Sequence, residues 1–163
     1  MKKKKLLGMA LTGTMVLAMA VPAFAEEAQD IMFVSIVTGG VAWGSAQKGF
    51  EDALAGEDNI FLVLEEEGKI CGYLGMYVSF DEGEITNVAV ASSERNRGFG
   101  KSLVKACIQE AAKCGVARLV LEVRVSNASA IHVYESCGFE NLGIRKGFYD
   151  FPKEDAYIMA YEK

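Results

Sequence analysis

The sequence predicts an α/β domain of the α+β kind, a mixed and mainly antiparallel twisted sheet with helices on both faces. Apolar runs at Ile60 to Leu64, Ile70 to Phe80 and Glu84 to Val90 follow one another across the turns Glu65-Glu66-Glu67-Gly68 and Asp81-Glu82-Gly83, as consecutive antiparallel strands do. An amphipathic stretch from Gly98 to Cys114 then separates the third run from an alternating one at Arg118 to Val125. A second helical segment and two further runs, near Asn141 to Phe148 and Ala156 to Tyr161, complete the order βββαβαββ. With 163 residues and 51% apolar content, the chain can bury the core of one domain.

Taken from the start, Lys2 to Lys5, the apolar stretch Leu6 to Val21 and Pro22-Ala23-Phe24-Ala25 form a signal-like leader, with cleavage expected after Ala25. Its apolar run is too short and too interrupted by glycine and threonine for a comfortable membrane span. Ile31 to Val37 reads as a buried strand turning at Thr38-Gly39-Gly40, and Phe50 to Leu54 as the end of a short helix stopped near Gly56. In the segment from Gly98 to Cys114, Leu103, Cys107 and Ala111 share one face with Val104, Ile108 and Ala112, while Lys101, Lys105, Gln109 and Lys113 take the other. Gly115 is its natural stop. Along Arg118 to Val125 the odd positions face the core, which puts Glu122 on the opposite face. Ser126-Asn127 supplies cap chemistry for a helix through Ile131 and Tyr134 to Cys137, closed by Gly138.

Charge narrows the function. The chain carries −5, and residues 1–25 hold four of the 17 basic residues and none of the 22 acidic ones, so the remainder stands at 13 against 22, or −9. No basic face is evident for nucleic acid, whereas an acidic body suits a basic protein partner or an amine. Cys71, Cys107, Cys114 and Cys137 form no C-x-x-C pair, and with one histidine, His132, no metal site is expected. All four thiols are expected reduced, in or near the core, and His132 in a structural or surface role.

Arg95-Asn96-Arg97-Gly98-Phe99-Gly100 lies between a strand and a helix. Two glycines at a helix start leave backbone N–H groups open to an anion at the positive end of the helix dipole, although an ordinary strand-to-helix turn uses the same residues. That motif stands in order with Asn87-Val88-Ala89-Val90, Leu121-Glu122-Val123-Arg124-x-Ser126-Asn127, Ala130-Ile131-x-x-Tyr134-Glu135-x-x-Gly138-Phe139 and Ile144-Arg145. Together they resemble the GNAT acetyltransferase superfamily, and within it the bacterial enzymes that acetylate the N-terminal alanine of a ribosomal protein. The resemblance runs from about Lys48 to the C-terminus. It divides the chain into a signal-like leader (1–25), an atypical N-terminal segment (26–47) in place of the family's first strand and helix, and the acetyltransferase domain (48–163).

The resemblance implies acetyl-CoA as co-substrate, no metal, and an acceptor that is a protein or peptide N-terminus, that of a ribosomal protein; neither nucleic acid nor membrane is implied. Val88, Ala89 and Val90 would offer backbone groups to the pantetheine arm as to an added strand. Asn96, Arg97, Gly98, Phe99, Gly100 and Lys101 would cradle the pyrophosphate, and Asn127 would hydrogen-bond near the thioester, though it reads equally as a helix cap. Glu122 resembles the general base that takes the amine proton, and Tyr134 the general acid that protonates the leaving thiolate. The plain readings are an ion-paired strand glutamate, with Arg124 as its partner, and a half-buried aromatic. Phe148 and Tyr149 sit where the family's acceptor loop lies.

Residues Val34 to Phe50 resemble instead the mature start of bacterial sugar-type substrate-binding proteins. That makes an exported solute-binding fragment, or a chimera with an impaired acceptor wall, the alternatives. The leader argues for export; acetyl-CoA, nascent ribosomal proteins and free thiols argue for the cytoplasm.

Overall fold

The computed structural model describes residues 5–8, 59–66 and 69–162. The strand expected over Ile31 to Val37, the helix end near Leu54 and most of the leader lie outside these residues. Seven strands form one sheet in the order β1-β2-β3-β4-β5-β7-β6. They are β1 (Lys5–Gly8), β2 (Asn59–Glu66), β3 (Lys69–Ser79), β4 (Glu82–Val90), β5 (Arg118–Arg124), β6 (Glu140–Asp150) and β7 (Lys153–Glu162). Two helices, α1 (Phe99–Lys113) and α2 (Ala128–Glu135), connect β4 to β5 and β5 to β6. The element order after residue 58 is the expected one. The edge position beside β2 is taken by Lys5–Gly8, from within the leader-like stretch, with Lys5 opposite Glu65 and Gly8 opposite Leu62.

Helix α1 buries Phe99, Leu103, Val104, Ala106, Cys107 and Ala111. Each large apolar side chain so buried contributes roughly 1.5–3 kcal/mol. Ala112, expected on this face, is exposed, and Ala106 is buried in its stead. The helix ends in a Schellman arrangement: Gly115 adopts φ +80, Val116 N–H donates to the Ala111 carbonyl at 3.0 Å, and Gly115 N–H donates to Ala112 at 3.4 Å. Tyr134 of α2 and Phe139 join the same apolar cluster, together with Leu119, Leu121 and Val123 of β5. Both described helices therefore share the core on one face of the sheet. No disulfide joins the four cysteines; Cys71 and Cys107 are buried and Cys137 half-buried, but Cys114 is exposed because it caps the end of α1.

Two features of the sheet shape the site. Strands β4 and β5 are parallel and pair only from Glu82↔Arg118 to Glu84↔Val120. Beyond that rung β4 continues to Val90 and β5 to Arg124 without pairing, so the two strands part. Thr86 sits in a register shift against β3, between Met76↔Ile85 and Gly75↔Asn87, and its hydroxyl donates to the Gly75 carbonyl at 3.3 Å. A bulge bends and twists its strand, which turns the second half of β4 away from β5.

On its other side β4 is held tightly by β3. A Cβ at Gly72 would stand 2.6 Å from the Ala89 carbonyl oxygen and 3.2 Å from Leu103 Cδ1. Gly72→Ala is expected to cost about 1–3 kcal/mol of stability, measured as a lower denaturant midpoint. An unchanged midpoint would mean that β3 can move away from β4 freely.

Candidate active site

The parted ends of β4 and β5 open toward the N-terminus of α1. Val88, Ala89 and Val90 line the β4 side and pair with Leu74, Tyr73 and Gly72 on their other edge. The Val90 carbonyl also accepts from Arg95 Nε at 3.4 Å. Asn96 (φ +61) and Gly98 (φ +81) both take left-handed conformations, and Gly98 is the N-cap of α1. No side chain caps this helix and its first turn holds no acid, so nothing in the turn opposes an anion there. A Cβ at Gly98 or Gly100 would meet nothing within 4 Å, which leaves room over the loop. Lys101 lies in the first turn, half-buried.

Arg97 does not reach over this loop. Its guanidinium pairs with Glu66 at 2.6 Å and with Glu94, and lies 4.7 Å from the centre of the Phe99 ring. Glu66, Glu94 and the buried Cys71 bring potential metal-ligating atoms within 4.8 Å of one another, and Arg97 pairs with both carboxylates there. Asn127 does act as a cap: its Oδ1 accepts from Ala130 N–H at 3.2 Å, which orients the start of α2 beside the end of β5.

Glu122 and Tyr134 lie on opposite faces of β5: Tyr134 joins the core cluster with Leu121 and Val123, and Glu122 alternates with them. Tyr134 is 8% exposed, packed against Phe139 with ring centres 5.8 Å apart, and burial holds its hydroxyl well above the ordinary tyrosine range. It stays protonated at neutral pH, as a proton donor must. His132, two residues earlier, is exposed. Glu122 alternates with the buried Leu121 and Val123 and so faces away from the helices, its side chain 13% exposed.

The partner of Glu122 is Arg145, not Arg124. Arg145 Nη1 donates to Glu122 Oε1 at 2.8 Å. Arg124 shares the face of Glu122 but is taken elsewhere: it donates to the Pro152 carbonyl (3.1 Å), to Glu154 (3.0 Å) and to the Phe151 carbonyl (3.0 Å), and stacks 3.9 Å from the Tyr149 ring centre. These contacts, with Glu154 also accepting from Ser126 N–H at 2.7 Å, fix the β6–β7 turn against the end of β5. Tyr149 is buried, and its hydroxyl, pushed up to about 12 mainly by burial, donates to the Glu122 carbonyl at 3.4 Å. Phe148 packs edge-on to Tyr149 and lies 4.9 Å beneath the Arg145 guanidinium.

Sequence reading missed Glu84. It sits opposite Val120 in the last paired rung, on the face of Glu122, because Gly83 and Ile85 on either side are buried. Burial first, and then the charge of Glu122, raise its carboxyl above the ordinary range. A charged residue between two core positions of β4 was the available signal.

A sheet parted beside a helix start without a side-chain cap, with a buried hydroxyl on one face and a carboxylate on the other, offers an anion site and proton-exchanging groups to a group-transfer reaction. The chain belongs to the acetyltransferase (GNAT) family, whose model matches residues 24–139. It is 41% identical over 107 residues to the ribosomal protein bS18-alanine N-acetyltransferase of Escherichia coli K12, covering 64% of this chain and 72% of that enzyme. The crystal structure of the ribosomal-protein-S18-alanine N-acetyltransferase from Escherichia coli superposes with a TM-score of 0.75 at 30% identity, over 98% of this chain and 94% of that one. A GNAT family acetyltransferase from Elizabethkingia anophelis, solved with acetyl-CoA bound, has a similar fold (TM-score 0.64, 21% identity, 78% of this chain and 94% of that one). Among the described residues, no helix is long and apolar enough to cross a membrane.

Proposed function

We propose that the chain transfers acetyl from acetyl-CoA to the N-terminal α-amine of a protein, a ribosomal protein beginning with alanine. The observation that carries this reading is the parting of β4 and β5 beyond Glu84 and Val120, with Glu122 on one face of β5 and Tyr134 in the core cluster against the other. The identity to the Escherichia coli enzyme supports the acceptor. The backbone of Val88 to Val90 would hold the pantetheine arm as an added strand, and the N–H groups from Asn96 through Lys101 the pyrophosphate. The room above Gly98 and Gly100 suits that fit. Asn127, its side chain committed to the cap, would act near the thioester through its remaining polar groups. No metal enters this chemistry, and neither nucleic acid nor membrane is a partner.

Transfer is direct. The amine nitrogen bonds to the acetyl carbon, the carbon–sulfur bond breaks, Glu122 takes the amine proton, and Tyr134 gives its hydroxyl proton to the thiolate. An α-ammonium has a pKa of about 7.7–8.0, so at neutral pH most of the acceptor must lose a proton before it can attack. The reading places the chain in the cytoplasm, with residues 48–163 as the catalytic domain.

Isothermal titration of the full chain with acetyl-CoA, followed by mass spectrometry of a peptide with an N-terminal alanine, tests it. Saturable binding and a gain of one acetyl group on the α-amine are expected. Absence of acetyl-CoA binding would sink the reading; binding without transfer would point to a chain whose acceptor wall is impaired.

A further inference from the structure

The acceptor must bring an ammonium to Glu122, yet a cation is already there. Arg145 on β6 reaches Glu122 on β5 across the intervening β7, in the strand order β5-β7-β6. Ala156, fully buried, pairs with both Arg124 and Arg145, and Ile158 pairs with Glu122 and Gly143; the Arg145 side chain passes diagonally from the first rung to the second. The small Ala156 side chain leaves the space for that crossing. Arg145 is 56% exposed at its side chain while Glu122 is 13% exposed. The carboxylate thus depends on a partner for lack of water, whereas the guanidinium does not. Arg145 rests at the same time over the ring of Phe148, at 4.9 Å, a contact that does not depend on Glu122.

Glu84 supplies a second carboxylate on the same face, so Glu84 and Glu122 with one guanidinium leave a net negative charge beside the parted strands. The other charged and titratable groups near Glu122 are spoken for: Arg124 by Glu154 and two carbonyls, and Tyr149 by the Glu122 carbonyl.

We propose that Arg145 is a stand-in for the acceptor: its guanidinium holds the cation position at Glu122, the acceptor's α-ammonium displaces it into solvent over Phe148, and it returns once the amine has become a neutral amide. This rests on the N-acetyltransferase reading and adds a rule for acceptor choice and product release. The carboxylate keeps a cationic partner throughout, so exchanging one cation for another costs the protein little. The product amide carries no charge and cannot hold the position against Arg145.

The test uses the full chain with Arg145→Ala and Arg145→Gln. Each is titrated, in the presence of coenzyme A, with an alanine-first peptide bearing a free amine and with the same peptide Nα-acetylated. Acetyl-CoA binding and thermal midpoint are controls. Loss of the competing cation should tighten the free-amine peptide by up to roughly 5-fold, the upper end of what such an ion pair is worth, with little change for the acetylated one. A structural role for Arg145 would weaken both peptides alike. If acetyl-CoA still binds and the free-amine peptide binds no better in either variant, the proposal is overturned on its own. If the wild-type chain fails to bind acetyl-CoA, the reading beneath it falls and takes the proposal with it.

Discussion

Replacing Tyr134 by Phe is expected to lower kcat by roughly 10²- to 10⁴-fold while leaving acetyl-CoA affinity nearly unchanged. The change removes one oxygen from a side chain that is 8% exposed, and the ring contact with Phe139 survives it. Burial keeps the wild-type hydroxyl protonated through the neutral range, so the proton is available when the carbon–sulfur bond breaks. Without it the departing thiolate must find its proton elsewhere. A stopped-flow or colorimetric thiol assay gives kcat, and isothermal titration gives affinity. Equal losses in the two would assign Tyr134 to cofactor packing rather than to proton transfer.

Much of the arrangement around Tyr134 could be read from local sequence. The 3.6-residue spacing of Leu103, Cys107 and Ala111 fixed α1 to within a residue or two, and Gly115 ended it. Alternation along β5 put Glu122 on the face away from the helices. Asn127 was legible as a cap because capping depends only on the four consecutive residues from Asn127 to Ala130. These features follow from backbone periodicity within one segment.

The contacts of Glu122 were not legible, for a different physical reason. Pattern alone made Arg124 its partner, since residues two apart on a strand share a face, and they do share it. What the pattern omits is the competition: the β6–β7 turn offers Arg124 two carbonyls and Glu154, a better set of acceptors than one carboxylate. Arg145 comes within reach only because β7 inserts between β5 and β6 and because β6 shifts register between Asn141 and Gly143 and again between Arg145 and Tyr149. Each shift re-aims the side chains that follow. No local spacing in β6 encodes that. The same holds for β1, whose place beside β2 is a pairing over more than fifty residues of chain.

Glu122→Gln is expected to cut kcat/KM for an alanine-first peptide by about 6- to 11-fold at pH 7, the ratio of total to neutral α-amine there, with the deficit gone above about pH 9. The substitution keeps size and keeps an oxygen that can accept from Arg145, so the fold should hold; the exposed ion pair it removes is worth about 1 kcal/mol at most. What is lost is a group that can accept a proton. At pH 7 most of an α-amine of pKa about 7.7–8.0 is protonated, and the variant can use only the neutral minority. By pH 9 the amine is already neutral in solution, so wild type and variant draw on the same form and their rates approach each other. A deficit that stays constant from pH 7 to pH 9.5 would mean that Glu122 holds the acceptor without taking its proton. Glu84 would then be the carboxylate to replace next, because it shares the face of Glu122 and its raised carboxyl still binds a proton more readily than an ordinary glutamate does.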